Sequence, residues 1–532
     1  MKKIKDPIYG YIEIDEKFLP IIDSAYFQRL RNVIQTSYTA IYPSSLHNRF
    51  THSLGVYNLG KLSFDCLINN STNILKQVSQ KQIQKIKDAF VLACLCHDLG
   101  HSPFSHTGEK FYNKKLINEK LKTLINDSSY NNDLEAEGGI VGKEHEIMSA
   151  LLTLQVFKRK ISKDLYGFFA RCIIGLQYKD STKNKPIDLL KKACIEILNS
   201  DIIDVDKLDY LIRDSYMSGY SSVSIDYNRL LFGISINDRS GYPICYNKGS
   251  LSVLESVLTA HDMERRWVQS HPIVLYESFL LQTIIRELNT KYKASSNKEL
   301  FSLESLTSKG IKIKKLGKLC LLSDADILFL AKQLFDSSAV KEYFDRTLRR
   351  HPIWKSEAEY MHLFYDFNKN KEFIEILQNW EELLANGQYG VYSLNDTFYE
   401  ALKKELERVD TLNINKKESE GKTLNNKRTK IVKELKLLNE IRTYFVDNNI
   451  PFDIVIISLK RFKSNIYKKA FKNLPILFED ESFDPVEMYS VTHIPLDTLE
   501  NKDFFYLYYR RENKSQLNIE EFSKVLRKAA II

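Results

Sequence analysis

The chain has 532 residues, 43% hydrophobic and 27% charged, an ordinary balance for a soluble globular protein with volume for two or three packed units. Its 12 Pro and 19 Gly are few for this length and favour a largely helical chain. A net charge of +9 suits anionic ligands but is too mild to indicate a nucleic-acid binder, and no apolar run is long enough to span a bilayer, so a cytoplasmic protein with no membrane or nucleic-acid partner is expected.

Residues 1–20 alternate polar and apolar around Tyr9-Gly10 and predict a short hairpin. From Asp23 to Thr290 the pattern is helical, with Asp23 or Ser24 as the first N-cap. Residues 83–99 place Ile83, Ile86, Phe90 and Leu95 near a 3.6-residue period, stopping at Gly100. The Asn, Ser, Asp and Gly clusters of 112–143 predict a long loop. Helical pattern resumes over 295–410 without a chemical motif, and the charged run 413–430 reads as a mobile hinge. Two β-like runs, Phe452–Leu459 and Phe504–Tyr509, and an amphipathic helix near 518–529 close the chain as a mixed α/β lobe. The seven cysteines are scattered and odd in number, which predicts reduced, buried thiols; Cys94 and Cys96 stand too close for a zinc knuckle.

Histidines and carboxylates concentrate in four short segments. Of 11 His, six fall in HNRFTHS (His47, His52), CHDLGHSPFSH (His97, His101, His106) and KEHEIMS (His145). The fourth segment, DIIDVDKLDYLIRD, supplies carboxylates. The adjacent pair His97-Asp98 ends an apolar helix, where neither residue serves packing and both can reach one divalent ion. His52 and Asp206 complete an all-N/O set suited to Mn, Fe, Zn, Ni or Mg, which sequence cannot tell apart. Read as a helix, 201–214 puts Asp206, Asp209, Tyr210, Arg213 and Asp214 on one face and Val205, Leu208 and Ile212 on the other. A solvated polar face explains most such patterns, though less easily one beside a metal pair.

At these residues the sequence resembles the HD-domain deoxynucleoside triphosphate triphosphohydrolases. The likeness covers roughly 1–290, where DPIYGYIEI, FQRLRNVIQ, HNRFTHSLGV, CHDLGHSPFSHTGE, EHE and DVDKLDYLIRD occur in family order. The resemblance implies a mainly α fold with an HD-type phosphohydrolase core over 1–290 and small β elements, and the sequence pattern adds a helical extension over 291–412, the charged flexible loop 413–430, and an α/β lobe over 431–532. It implies metal ligation by His52, His97, Asp98 and Asp206, the set built above from chemistry. It places His101, His106, Glu109 and His145 around the scissile phosphate, with His106 the acid for the departing 5′ oxygen and Glu109 orienting its imidazole. Arg49, Lys207 and Tyr210 resemble phosphate contacts, and Gln35 and Asp214 the residues that hold the sugar 3′-hydroxyl. The implied reaction cleaves a deoxynucleoside triphosphate to nucleoside and inorganic triphosphate, chemistry that serves nucleotide-pool housekeeping and starvation of infecting phage alike.

Two stretches depart from the family pattern. Thr36-Ser37-Tyr38 follows Gln35 where some members have a glycine-rich run. Near 261–273 the family places an Arg for the terminal phosphate and a Tyr under the sugar; here Arg265 or Arg266 takes the first place, and Val268 or Gln269 the second. Asp23, Gln28 and Arg31 match positions that recognise an activating nucleotide, against which stands a helix cap with local ion pairs. The resemblance also implies a homo-oligomer, from dimer to tetramer or hexamer. Rival readings are an HD-type hydrolase of nucleotide monophosphates or nucleic-acid phosphodiesters, and a catalytically silent nucleotide sensor.

Overall fold

The structure is a computed structural model and describes residues 2–36, 38–179, 185–220, 224–238, 242–314, 316–364, 371–413, 418–459, 475–477, 483–485, 504–511 and 517–530. Ser37 of the departing loop therefore lies outside the described residues. The fold is mainly helical with small sheets, and the chain divides into two compact units.

The first unit comprises 1–269, 284–334 and 464–499. It opens with the expected hairpin, β1 (Lys2–Asp6) antiparallel to β2 (Gly10–Ile14). Asp6 makes the turn: its Oδ1 accepts the N–H of Ile8 at 2.9 Å and of Tyr9 at 3.1 Å. Ser24, not Asp23, caps the short turn Ala25–Gln28. Two long helices follow, α1 (Arg49–Asn70), capped by Asn48, and α2 (Gln80–Cys96), opened by a Ser79/Gln82 capping box. They share the apolar interior that includes Phe64 and Phe90.

The region 112–143, expected as a loop, instead holds α3 (Lys114–Ile125) and α4 (Ser128–Ala136). The residues that suggested a loop are the punctuation of these helices. Asn113 caps α3, Asn126 ends it in the left-handed region at φ 51°, and Asp127 caps α4. Next come α5 (Glu144–Phe157) and α6 (Val205–Ser218), the latter capped by Asp204 and closed by Gly219. A four-stranded sheet pairs Ile234–Ile236 with Ile244–Asn247, and through it Pro475–Leu477 and Phe483–Pro485. The unit is completed by α7 (Leu251–Met263) and α8 (Asp324–Lys332).

The second unit comprises 270–283, 335–463 and 500–532, so the stretch 291–412 is shared between the units. Here Phe504–Tyr509 is the centre of a three-stranded antiparallel sheet, flanked by His351–Pro352 and Ile454–Leu459. Both β-like runs seen in sequence are strands of this sheet. Its core holds Trp354 and Trp380, and the Trp354 indole donates to Phe505 O at 2.8 Å. The charged run 413–430 is not a loop from Glu418 onward: it opens α9 (Glu418–Asp447), while 414–417 lie outside the described residues. Lys427 pairs with Glu405 at 2.7 Å and Arg428 with Asp410 at 2.6 Å, and Leu437, Leu438, Ile441 and Phe445 bury the same helix further on. Charge thus marks a helix face rather than a hinge. Among the described residues, every cysteine is free, only Cys320 is other than buried, and no helix is long and apolar enough to cross a membrane.

Candidate active site

The His/Asp segments converge inside the first unit. His52 sits one turn into α1, His97 directly follows α2, and Asp206 lies in the first turn of α6. His52, His97 and Asp98 are all buried and offer ligand atoms within 4.8 Å of one another. Asp206 Oδ1 stands 3.0 Å from His52 Nε2 and 3.7 Å from His97 Nε2. The two Nε2 atoms face each other at 3.2 Å.

What lies behind each ring fixes the tautomers. His97 Nδ1–H donates to Cys94 O at 2.9 Å, and His52 Nδ1–H to Asp209 Oδ2 at 2.7 Å. Both Nε2 lone pairs therefore point at one place, ringed by the carboxylates of Asp98 and Asp206, an arrangement that calls for a cation. Without an ion, a proton on His52 takes the cation's place. Burial alone would lower the His52 pKa, but hydrogen bonds to Asp206 and Asp209 and the charges of Asp98 and Asp209 push it up to about 10. Against burial, Arg49, His97 and His101 hold Asp98 well below the usual carboxylate range. Against burial too, His52 and His97 do the same for Asp206. The donor set fits a divalent metal.

Asp209, read in sequence as part of a polar face that could be solvated, is fully buried with Arg213 and Asp214. Its Oδ2 accepts from His52 and from Arg213 Nε at 2.8 Å; its Oδ1 accepts from Tyr9 OH at 2.8 Å and Arg213 Nη2 at 3.0 Å. Arg213 Nη1 also donates to Asp6 Oδ2 at 3.0 Å, so the N-terminal hairpin braces the support behind His52. The close approach of α6 to α1 depends on Gly55, since a Cβ there would stand 1.8 Å from Asp209 Oδ1. Asp209 was not among the expected site residues; its place three positions after Asp206 on one helix face was the signal available.

Beside this cluster is a second one, His101, His106, Glu109 and His145, again with ligand atoms within 4.8 Å of one another. Glu109 is its hub. His106 Nδ1 lies 3.1 Å and His145 Nδ1 2.9 Å from Oε2, and His101 Nδ1 lies 2.6 Å from Oε1. The His101 and His145 rings stack at 4.0 Å, and burial, Arg49 and His145 push His101 down to about 3, which keeps it neutral. Against burial, Glu109 raises His145 and is itself held well below the carboxylate range by His145, His106 and His101. Only His106 is exposed, at 61% of its side chain, whereas Glu109 is at 7%. The turn before it is strained: Phe104 and Ser105 both have positive φ, 58° and 51°.

The expected phosphate and sugar contacts are gathered unevenly. Arg49 Nη1 donates to Asp98 at 2.8 Å, Nε to Ser105 Oγ at 2.9 Å and Nη2 to Gln35 O at 3.2 Å. Gln35 Oε1 is buried without a hydrogen-bond partner among the described residues. Lys207 donates to Ser200 O at 2.6 Å and to its own cap Asp204. His47 Nε2, which sequence left without a role, meets Asp214 Oδ1 at 2.6 Å. Asp214 lines a small cavity with Leu211, Tyr220, Ala260, Glu264 and Val268. The candidates near 261–273 differ in their surroundings. Arg265 acts electrostatically on Tyr210 and His261, whereas Arg266 reaches Asp262 at 3.7 Å with half its side chain exposed. Val268 lines the Asp214 cavity, and Gln269 instead donates to Glu264 at 3.0 Å. Asp23, Gln28 and Arg31 make a local set: Asp23 pairs with Lys2 at 3.2 Å, Gln28 donates to Ile22 O at 2.8 Å, and Arg31 donates to Gln28 at 2.8 Å.

Comparison with known proteins agrees with the sequence motifs. No family model matches the chain. Over 296 residues, 55% of its length, the chain is 31% identical to an uncharacterized protein of Methanocaldococcus jannaschii, 51% of which is covered. Over 305 residues it is 28% identical to a deoxynucleoside triphosphate triphosphohydrolase SAMHD1 homolog of Dictyostelium discoideum, covering 56% of this chain and 51% of that one. A solved phosphohydrolase of Bacteroides thetaiotaomicron shares the fold with a TM-score of 0.52 at 17% identity, over 96% of this chain and 100% of that one. The chain's relatives include proteins of the HD-domain class, among them a putative HD domain-containing protein of Acanthamoeba polyphaga mimivirus, 29% identical over 304 residues. Within that class the chain resembles the deoxynucleoside triphosphate triphosphohydrolases, and it spans about half the length of the curated relatives it matches first.

Proposed function

We propose that the protein is a metal-dependent phosphohydrolase that cleaves deoxynucleoside triphosphates to deoxynucleoside and inorganic triphosphate. The observation that carries this reading is the pair of buried Nε2 atoms of His52 and His97, facing each other at 3.2 Å beside Asp98 and Asp206 and next to a second cluster built on Glu109. His52, His97, Asp98 and Asp206 would hold a divalent ion, Mn, Fe, Mg, Zn or Ni. When bound, that ion supplies Lewis acidity and positive charge at the scissile phosphate.

The remaining chemistry belongs to side chains. His106, exposed at the rim with Glu109 behind its Nδ1, protonates the departing 5′ oxygen through Nε2, and the buried Glu109 carboxylate holds the imidazole in that orientation. His101, kept neutral by burial, and His145 pack behind it. Arg49, held in place by Ser105 and Gln35, brings positive charge to where charge develops, Lys207 and Arg265 extend it along the phosphates, and Tyr210 offers its hydroxyl as a donor. Lys207 must exchange Asp204 for a phosphate oxygen on binding. Gln35, with its unpartnered Oε1, and Asp214, steadied by His47, would bind the sugar hydroxyl. A homo-oligomer ordered by an activating nucleotide at Asp23, Gln28 and Arg31 belongs to the same reading.

The test is a chromatogram of each ribo- and deoxynucleoside triphosphate, singly and mixed, after incubation with protein and Mn. Deoxynucleoside and triphosphate in equal amounts are the expected products. Orthophosphate instead, or turnover confined to monophosphates or nucleic acid, would reject the reading.

A further inference from the structure

The stretch 295–410 carries no recognisable motif, yet one of its residues grips the catalytic loops. Asp324, the first residue of α8, gives its carboxylate to the backbone of two segments far away in the chain. It is not needed as a cap of α8, because Ser323 and Asp326 form a capping box between themselves. Its Oδ1 accepts the backbone N–H of Phe104 at 2.7 Å, and its Oδ2 that of Ile34 at 2.8 Å. Both partners precede residues of the site, Ile34 before Gln35 and Phe104 two positions before His106.

The Phe104–Ser105 turn needs such a hold. Two successive non-glycine residues at positive φ are strained and persist only where the surroundings over-determine them. Ser105 Oγ donates to Ile34 O at 2.5 Å and accepts from Arg49 Nε, whose guanidinium also reaches Asp98. The neighbouring Leu322 adds a second grip. Arg29 Nη1 donates to Leu322 O at 2.9 Å, and its Nη2 to Leu99 O and His101 O at 2.8 Å each. Residues 322–324 thus fasten the loop at Leu99 and His101, through Arg29, and at Phe104, all ahead of His106.

We propose that Asp324 is a positioning residue for the hydrolytic reaction, holding the strained Phe104–Ser105 turn against Ile34 so that His106 presents its imidazole to the leaving oxygen. This rests on the assignment of His106 as the acid. Asp324 itself touches neither phosphate nor ion; it acts through where the turn stands. Misplacing a reacting group by about 1 Å costs on the order of 10²-fold in rate, so the effect should fall on kcat.

The test is Asp324→Asn, which keeps the shape but sets an amide N–H against one of the two backbone N–H groups. Turnover of the deoxynucleoside triphosphate should drop by on the order of 10²-fold, with KM, bound metal and melting temperature near those of the unmodified protein. The decisive readout is a substrate whose bridging 5′ oxygen is replaced by sulfur, because a thiolate leaves without a proton. That substrate should restore turnover in Asp324→Asn and in His106→Ala alike. Asp324→Glu, which keeps the charge, should lie between the two, and it carries the same readouts should the Asn variant fail to fold. Normal turnover in Asp324→Asn beside an inactive His106→Ala overturns the clamp alone, as does loss of metal with turnover, or a sulfur substrate slowed as much as the natural one. Normal turnover in His106→Ala overturns the acid assignment instead.

Discussion

Gly55→Ala tests the support behind His52 with a single methyl group. In the interior of a helix this change should be favourable by about 1 kcal/mol. Here the new Cβ would stand 1.8 Å from Asp209 Oδ1, 2.6 Å from Asp209 Cγ and 2.6 Å from Arg213 Nη2, far inside the 3.4 Å at which ordinary contact begins. Asp209 cannot swing away freely, because Tyr9, Arg213 and His52 all hold its two oxygens. Crowding of a packed interior costs about 1–3 kcal/mol, and losing one hydrogen bond to a charged group about 1.5–3 kcal/mol. The net loss should therefore be about 1.5–5 kcal/mol after the helix gain. Part of it should surface as metal affinity, since an outer partner of a ligating histidine is typically worth about 10–100-fold. Metal retained against a graded chelator, measured alongside thermal unfolding, reads both effects. Gly55→Ala in an Asp209→Ala background should weaken binding no further, because the crowded carboxylate is gone. A Gly55→Ala protein with ordinary metal retention and melting temperature would refute the reasoning.

Other expectations follow from the same geometry. His106→Ala should lose about 10²–10⁴-fold in turnover while keeping its metal, and Glu109→Gln should lose less, since the imidazole stays but lacks its anion; elemental analysis showing an emptied His106→Ala protein would reassign that histidine. Asp209 is held down to about 2, by Arg213 and by hydrogen bonding to His52 against the effect of burial, below its ordinary 3.8. Its contribution to stability is therefore complete above about pH 4 and is lost as the pH falls toward 2, worth about 2.5 kcal/mol at about 1.4 kcal/mol per pH unit. Urea unfolding of metal-free protein at pH 5 and pH 3 should show a steeper loss for the unmodified chain than for Asp209→Asn; equal losses would contradict the assignment.

The gathering of His52, His97, Asp98 and Asp206 was legible because metal-binding chemistry leaves residues that packing does not want, such as a His-Asp pair closing an apolar helix. What surrounds them was less so. Helical spacing showed that Asp209 and Arg213 share the face of Asp206, but spacing cannot say whether a face meets solvent or the back of a histidine. The caps Asn113 and Asp127 were misread as loop because the same side chains favour turns and helix starts. The run 413–430 was misread because its salt-bridge partners, Glu405 and Asp410, belong to another helix. Asp324 could not have been found: its partners lie 220 and 290 residues away, and it bonds to backbone that any sequence provides.

The facing lone pairs of His52 and His97 bear on how long the protein survives as well as on what it does. A cation seated between them ties α1, the end of α2 and α6, segments far apart along the chain, so it acts as a removable staple on the fold. Whatever binds only the folded form adds stability in proportion to the logarithm of its concentration over its dissociation constant. Withdrawing the ion leaves only a proton on His52 to offset the buried carboxylates around it, and the chain from which the ion has gone is the one that opens first. The lifetime of the protein against proteases should then follow metal supply, and starvation for the ion would shorten its half-life as well as silence it.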